Sequence, residues 1–231
     1  MGLPKEYDLL VRFGAVSSTG DPTGEVADVS GARRVTASEV IGVLDRFRGR
    51  ITQRVPLTSA VKVGGEPLYK KAHRGEAADT PEREVAVYDL TLVEFDEASQ
   101  TARLLALTGT GTYARVLAED IGEALECGGY AAALRRTRIG MFSVDDAVGP
   151  DELSWQRYSE GGQGVLTLEE ALAFIPAVTL SEEEAHLAAN GNRLRNTPSG
   201  RFRAYGAGRM LGVYESEDDG ARPLLVLPEG A

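Results

Sequence analysis

At 231 residues, with 42% hydrophobic and 26% charged side chains, the chain is long enough for one large or two ordinary domains around a sizeable core. One cysteine excludes an internal disulfide framework and a cysteine-built zinc cage, and His73 and His186 lie too far apart in sequence to suggest a metal site. A net charge of −10 argues weakly against nucleic acid as a partner, but local patches decide binding, and the basic residues here are clustered.

Four such clusters stand out: Arg46, Arg48, Arg50 and Arg54; Lys62, Lys70, Lys71 and Arg74; Arg135, Arg136 and Arg138; Arg193, Arg195, Arg201 and Arg203. Acids gather elsewhere, at Glu182 to Glu184 and Glu215 to Asp219. No apolar run approaches the ~20 residues of a membrane helix, and MGLPKEYDLL has neither the basic start nor the apolar middle of a signal peptide. A cytoplasmic monomer without membrane, metal or cofactor is expected.

In chain order, Lys5 to Phe13 has the apolar content of a strand, and the glycine- and proline-containing stretch from Ser17 to Asp28 of a loop. Thr36-Ala-Ser-Glu39 is a capping box opening a helix whose stripe is Val40, Val43, Leu44 and Phe47, with Gly49 as its stop. Ile51 to Val63 is extended around Pro56, and Leu68 to Arg74 is a short helix closed by Gly75. Val85 to Phe95 and Thr101 to Thr108, joined by an acidic turn, predict a hairpin.

The next helix places Leu117, Ile121 and Leu125 on one face, ends at Cys127-Gly-Gly129, and leads into the arginine trio, a place to meet something anionic. Beyond Phe142 the chain loosens. Thr167 and Ser181 each cap a further helix, the second ending at Asn190-Gly191. From Arg201, short strands turning at Asp218-Asp-Gly220 predict a small β-rich module, with the domain boundary between 175 and 176.

The glycines of Gly109-Thr-Gly111-Thr-Tyr-Ala114 support two chemistries. They fit G-x-G-x-x-A between a strand and a helix, as a dinucleotide fingerprint does, and Arg135 could then meet a 2′-phosphate in an NADP-dependent enzyme. Against this, the preceding strand belongs to a hairpin, and no acid lies between Gly128 and Gly140 to hold a ribose.

The same residues resemble another family. Gly111-Thr-Tyr113-Ala-Arg115-Val-Leu117 through Asp120-Ile-Gly122, then Leu134-Arg135-Arg136-Thr-Arg-Ile-Gly140, are similar to the GTYIRxLxxDLG and LRRTxxG signatures of the TruB-type tRNA pseudouridine synthases. Lys5-Glu-Tyr7 resembles the family's KxY motif, and Gly14 to Gly24 its GxxTDTxDxxG loop. Phe47-Arg48-Gly49 through Gln53, Pro56, Ser59-Ala60-Val-Lys62 and Leu68-Tyr69 resemble its FxGxxxQxPPxYSAxKxxG…Y run. Two positions depart: Ser17-Ser18 replaces Thr-Asp, and Thr58 replaces a tyrosine.

The resemblance implies an α+β fold: a mixed, mainly antiparallel sheet with flanking helices over 1–175, and a PUA-like RNA-binding module over 176–231. It implies cofactor-free isomerisation of a T-loop uridine, at position 55 of the tRNA, to pseudouridine, with the nucleotide flipped out of its stack. Tyr7 becomes the tyrosine stacking on the base, and Arg135 the partner of a catalytic aspartate. Lys5, Asp21, Lys62, Tyr69 and Arg136 become substrate-side residues. Arg115 and Asp120 are each expected in a structural ion pair and not in a catalytic role.

The family's nucleophilic aspartate sits in a GTLDPxATG-like motif upstream of KxY, and no such stretch occurs among these 231 residues. Asp21 lies after Tyr7, where the family has a separate loop aspartate. The expectation is therefore a synthase lacking its N-terminal catalytic segment, inactive as it stands. The alternative from another class is a non-catalytic RNA-binding or tRNA-folding protein.

Overall fold

The computed structural model describes residues 2–76, 79–162, 164–195 and 197–228. They form two compact units, residues 1–146 and 147–231. The first contains β1 (Lys5–Phe13), β2 (Ala15–Ser17), β3 (Val26–Asp28), α1 (Ala37–Leu44), β4 (Gly49–Arg54), β5 (Lys62–Val63), β6 (Glu66–Pro67) and α2 (Leu68–His73). It continues with β7 (Glu82–Asp96), β8 (Thr101–Thr108), α3 (Ala114–Ala124), β9 (Gly129–Ile139) and β10 (Phe142–Ser143).

Six of these strands make one sheet in the order β10-β9-β1-β8-β7-β4, and every neighbouring pair is antiparallel. Alternation along the strands gives that sheet one apolar face. Leu9, Val11 and Phe13 of β1 join Ala102, Leu104 and Ala106 of β8 and Val87 and Leu90 of β7. Val40 and Leu44 of α1, with Leu117, Ile121 and Leu125 at α3, cover that face and complete one core. The predicted stripe of α3 is buried as expected.

The start of α1 is the predicted capping box: Glu39 N donates to Thr36 Oγ1, and the Glu39 carboxylate accepts from Thr36 N at 2.8 Å. The helix ends at Leu44 and passes through a 3-10 turn, so Gly49, at φ +83°, opens β4 instead of stopping α1. The expected loop from Ser17 to Asp28 also differs, because its ends pair as the β2–β3 hairpin. The arginine trio lies on a strand, all three residues belonging to β9.

Two glycines let α3 lie backbone-to-backbone on β9. A Cβ on Gly122 would stand 2.3 Å from Gly129 N, and one on Gly129 would stand 2.9 Å from Ala118 O. On the shoulder of the same helix, Asp120 is pushed up to about 6, chiefly by burial and then by the charge of Glu123. An acid raised on folding costs stability at neutral pH, and the cost fades as pH falls through 6 toward the ordinary carboxylate range. Asp120→Asn is therefore expected to raise the unfolding free energy by about 1 kcal/mol at pH 8 and to change it little at pH 4, as read by denaturant titration.

The second unit contains α4 (Trp155–Ser159), α5 (Leu168–Ala171), β11 (Ala177–Thr179), α6 (Glu182–Ala189), β12 (Arg201–Gly206), β13 (Arg209–Glu217) and β14 (Gly220–Val226). Its four strands form a sheet in the order β11-β12-β13-β14, with Leu194, Phe202 and Tyr214 in its core. Both predicted caps hold, with Glu170 on Thr167 and Glu184 on Ser181. The segment 147–175 belongs to this unit, whereas the sequence placed the boundary after it; Arg203 ties it in, its side chain donating to Ile175 O at 2.8 Å and Glu169 O at 3.1 Å. Among the described residues no helix is long and apolar enough to cross a membrane.

Candidate active site

The two residues of the K-x-Y motif stand at the start of β1. Lys5 sits in a row across the sheet that runs Ile139, Lys5, Thr108, Val87, Gly49. Its Nζ donates to Leu3 O at 3.0 Å and to Thr110 Oγ1 at 3.4 Å, above the end of β8. Tyr7 is half-buried, opposite Ala106 on one side and Arg136 on the other. By strand alternation it shares the helix-covered face with Leu9, Val11 and Phe13.

Asp8 points the other way. Its cross-strand neighbour on β9 is Arg135, which is thereby placed on the face opposite Tyr7. Arg103 holds the Asp8 carboxylate, Nη2 at 2.6 Å and Nε at 2.9 Å. The Arg103 hydrogen bond lowers the carboxyl against the opposing effect of burial, and the charge of Arg135 adds a smaller contribution. Arg135 and Arg136 are both solvent-exposed.

The loop from Ser17 to Gly24 carries Asp21 onto α3. Arg115 Nη1 donates to Asp21 Oδ2 at 2.6 Å and to Thr19 O at 3.2 Å. Thr19 Oγ1 and Thr23 N donate to Asp21 Oδ1 at 2.9 and 3.0 Å. Burial opposes the charge on Asp21, but hydrogen bonds from Thr23, Thr19 and Arg115 outweigh it and lower the carboxyl to about 2. Ala131 N on β9 donates to Gly20 O at 3.0 Å, which pins the loop from the sheet side. A Cβ on Gly20, at φ +76°, would stand 2.5 Å from Glu119 Oε1.

Because α3 packs on β1 and β9 in the covered core, Arg115 shares the face of Tyr7. Arg115 thus stands in an ion pair as expected, and its partner is Asp21. The turn leading into α3 is held by Gln53, whose buried side chain accepts from Tyr113 N at 2.9 Å and donates to Tyr113 O at 3.3 Å. Lys62 and Tyr69 lie elsewhere, on a hairpin-helix arm between β4 and β7. There Tyr69 N donates to Ser59 O at 3.0 Å, and its ring meets His73 edge-on at 6.3 Å.

The dinucleotide interpretation of Gly109 to Ala114 fails on this geometry. The strands before and after α3, β8 and β9, are separated by the antiparallel β1, so no adjacent parallel β-α-β unit exists there. A side chain at Gly109 would press on Ala86 Cβ and the Tyr88 hydroxyl, each at 3.3 Å, so that glycine serves the sheet. Among the described residues no three His, Cys, Asp or Glu side chains group to hold a metal ion.

Residues 1–114 match the TruB family pseudouridylate synthase N-terminal domain, and residues 115–173 match the tRNA pseudouridylate synthase B C-terminal domain. The tRNA pseudouridine synthase B of Pseudomonas putida is 37% identical over 227 residues, covering 94% of this chain and 72% of that protein. The chain belongs to the TruB family of tRNA pseudouridine synthases. The Xanthomonas campestris enzyme of the same name is 34% identical over 224 residues, covering 94% of this chain and 72% of that one.

The fold is shared more widely. A Cbf5-Nop10-Gar1 complex aligns with TM-score 0.69 at 20% identity, over 98% of this chain and 68% of the other. An H/ACA ribonucleoprotein bound to a substrate RNA containing 2′-deoxyuridine aligns with TM-score 0.67 at 17% identity, over 99% and 68%. The mixed fold with an antiparallel sheet and a C-terminal β module is that of the TruB and Cbf5 type. Within this TruB-family chain, the sequence pattern alone missed the pairing of Arg115 with Asp21 and the Gln53 clamp. Both belong to quoted motifs, but only the fold joins motifs so far apart.

Proposed function

We propose that this chain carries the binding and positioning half of a site that isomerises a T-loop uridine, position 55 of the tRNA, to pseudouridine, acting as a monomer. The observation that carries this reading is the placement of Tyr7 and a pre-oriented Arg115 on the same face of the sheet. Tyr7 stacks on a uracil flipped from the loop, offering a rigid aromatic plane at little entropic cost. Arg115, anchored through Nη1 by Asp21, presents the rest of its guanidinium to orient and keep ionised the carboxylate that attacks the ribose carbon. This role goes to Arg115 and not to Arg135, since Arg135 stands beside Asp8 on the opposite face. Lys5, Arg136, Lys62 and Tyr69 contact the RNA, and Asp21 organises the site.

Asp21 does not itself attack. A carboxylate already taken up by two threonines and an arginine is a poor nucleophile. The 231 residues alone are accordingly proposed to bind T-stem-loop RNA without turning it over. The binding arm of this proposal is tested by titrating such an RNA at several salt concentrations. Affinity falls as salt rises, and Arg136→Ala lowers the salt slope by roughly 1. Absence of binding at low salt removes the RNA reading altogether.

A further inference from the structure

Gln53 is 2% exposed, an uncommon place for a primary amide, and both ends of that amide are used on one residue. Its Oε1 accepts from Tyr113 N, and its Nε2 donates to Tyr113 O, the carbonyl that also accepts Leu117 N at 3.1 Å to start α3. Tyr113 is the N-cap of α3 and offers no side-chain cap of its own, so its backbone N–H is satisfied by Gln53 from across the fold. Thr112 and Gly109 anchor the same turn on Ala86 O, one and four residues before Tyr113. Arg115 follows Tyr113 by two residues, in the first turn of the helix.

We propose that Gln53 is a positioning residue of the site: its amide fixes the Tyr113 end of α3 and thereby the direction in which Arg115 meets Asp21. The contact is a hydrogen-bonded pair of the kind two β-strands exchange, made by a side chain, and it leaves Tyr113 one orientation relative to β4. Its meaning for catalysis rests on the proposed function, whereas the positioning itself is measurable in the free chain.

The test is made on the full chain by amide hydrogen exchange and by NMR titration of Asp21. In Gln53→Ala, Tyr113 N–H exchanges roughly tenfold faster or more, while amides of the β1 and β8 core keep their protection. The Asp21 carboxyl rises modestly as Arg115 loosens, since its threonine donors stay in place. Gln53→Glu gives a second, reversible variant. A protonated carboxylic acid reproduces the amide's donor and acceptor, whereas an ionised one sets its charge against Tyr113 O in place of the lost donor and pushes the pair apart. Protection at Tyr113, corrected for the intrinsic pH dependence of exchange, should therefore be present below the raised pKa of this buried acid and lost above it.

An unchanged Asp21 titration in Gln53→Ala overturns the proposal, as does faster exchange spread evenly over the chain, or pH-independent protection in Gln53→Glu. If Gln53→Ala does not fold, the Gln53→Glu comparison alone decides. None of these readouts involves RNA, so the uridine-isomerisation reading can fail while the positioning role stands.

Discussion

Gly122→Ala is expected to lower the unfolding free energy by about 3 kcal/mol or more. The added Cβ would stand 2.3 Å from Gly129 N and 2.4 Å from Gly128 C, both backbone atoms that cannot swing aside. Either α3 lifts from β9 or the strand shifts, and Leu117, Ile121 and Leu125 lose packing in the process. Gly42 is the internal control. It lies in α1 with nothing within 4 Å of its would-be Cβ, so Gly42→Ala should stabilise by about 0.5–1 kcal/mol through helix propensity. Paired denaturant titrations that gave the two variants the same sign would contradict this account of α3 packing.

Arg115→Met is expected to have the largest effect on the site. It leaves the partly buried Asp21 with its threonine donors only, and the carboxyl rises from about 2 toward the ordinary range. The sign follows from linkage. Asp21 is lowered on folding, so its contribution is complete above the ordinary carboxylate pKa and is lost as pH falls through 2. Arg115→Met should therefore be less stable by about 1–2 kcal/mol at pH 7, with the difference shrinking in acid. In a preparation that turns over, the isomerisation rate should fall about 100-fold while RNA affinity changes little, because orientation and not binding is lost. Arg135→Ala should leave the rate within a few-fold, as expected of a residue on the far face. The reverse ranking would return the role to Arg135.

How far the sequence could be read is clear from these residues. The capping boxes at Thr36, Thr167 and Ser181, the β7–β8 hairpin and the apolar stripe of α3 depend on neighbours three or four positions away or on strict alternation, and all are found as predicted. Arg115 and Asp21 are 94 positions apart and Gln53 and Tyr113 are 60, distances at which local pattern carries no information about contact. The arginine trio shows the intermediate case. Charge density made it look like one patch, but a strand splits neighbours between faces, which sends Arg135 to Asp8 and Arg136 to Tyr7. The glycines before α3 show the limit of a short motif: a strand, a glycine turn and a helix occur in both folds, and only strand order tells them apart.

The most direct measurement concerns the reaction itself. A segment bearing the GTLDPxATG-like motif of the TruB family is joined in register ahead of Lys5, and the fusion is incubated with a T-stem-loop RNA whose pseudouridines are then mapped. Pseudouridine at position 55 alone, absent with the unfused 231 residues, is the predicted result. No pseudouridine from a folded, RNA-binding fusion would contradict the synthase reading and favour a non-catalytic RNA-binding role, and turnover by the unfused chain would make Asp21 the nucleophile after all.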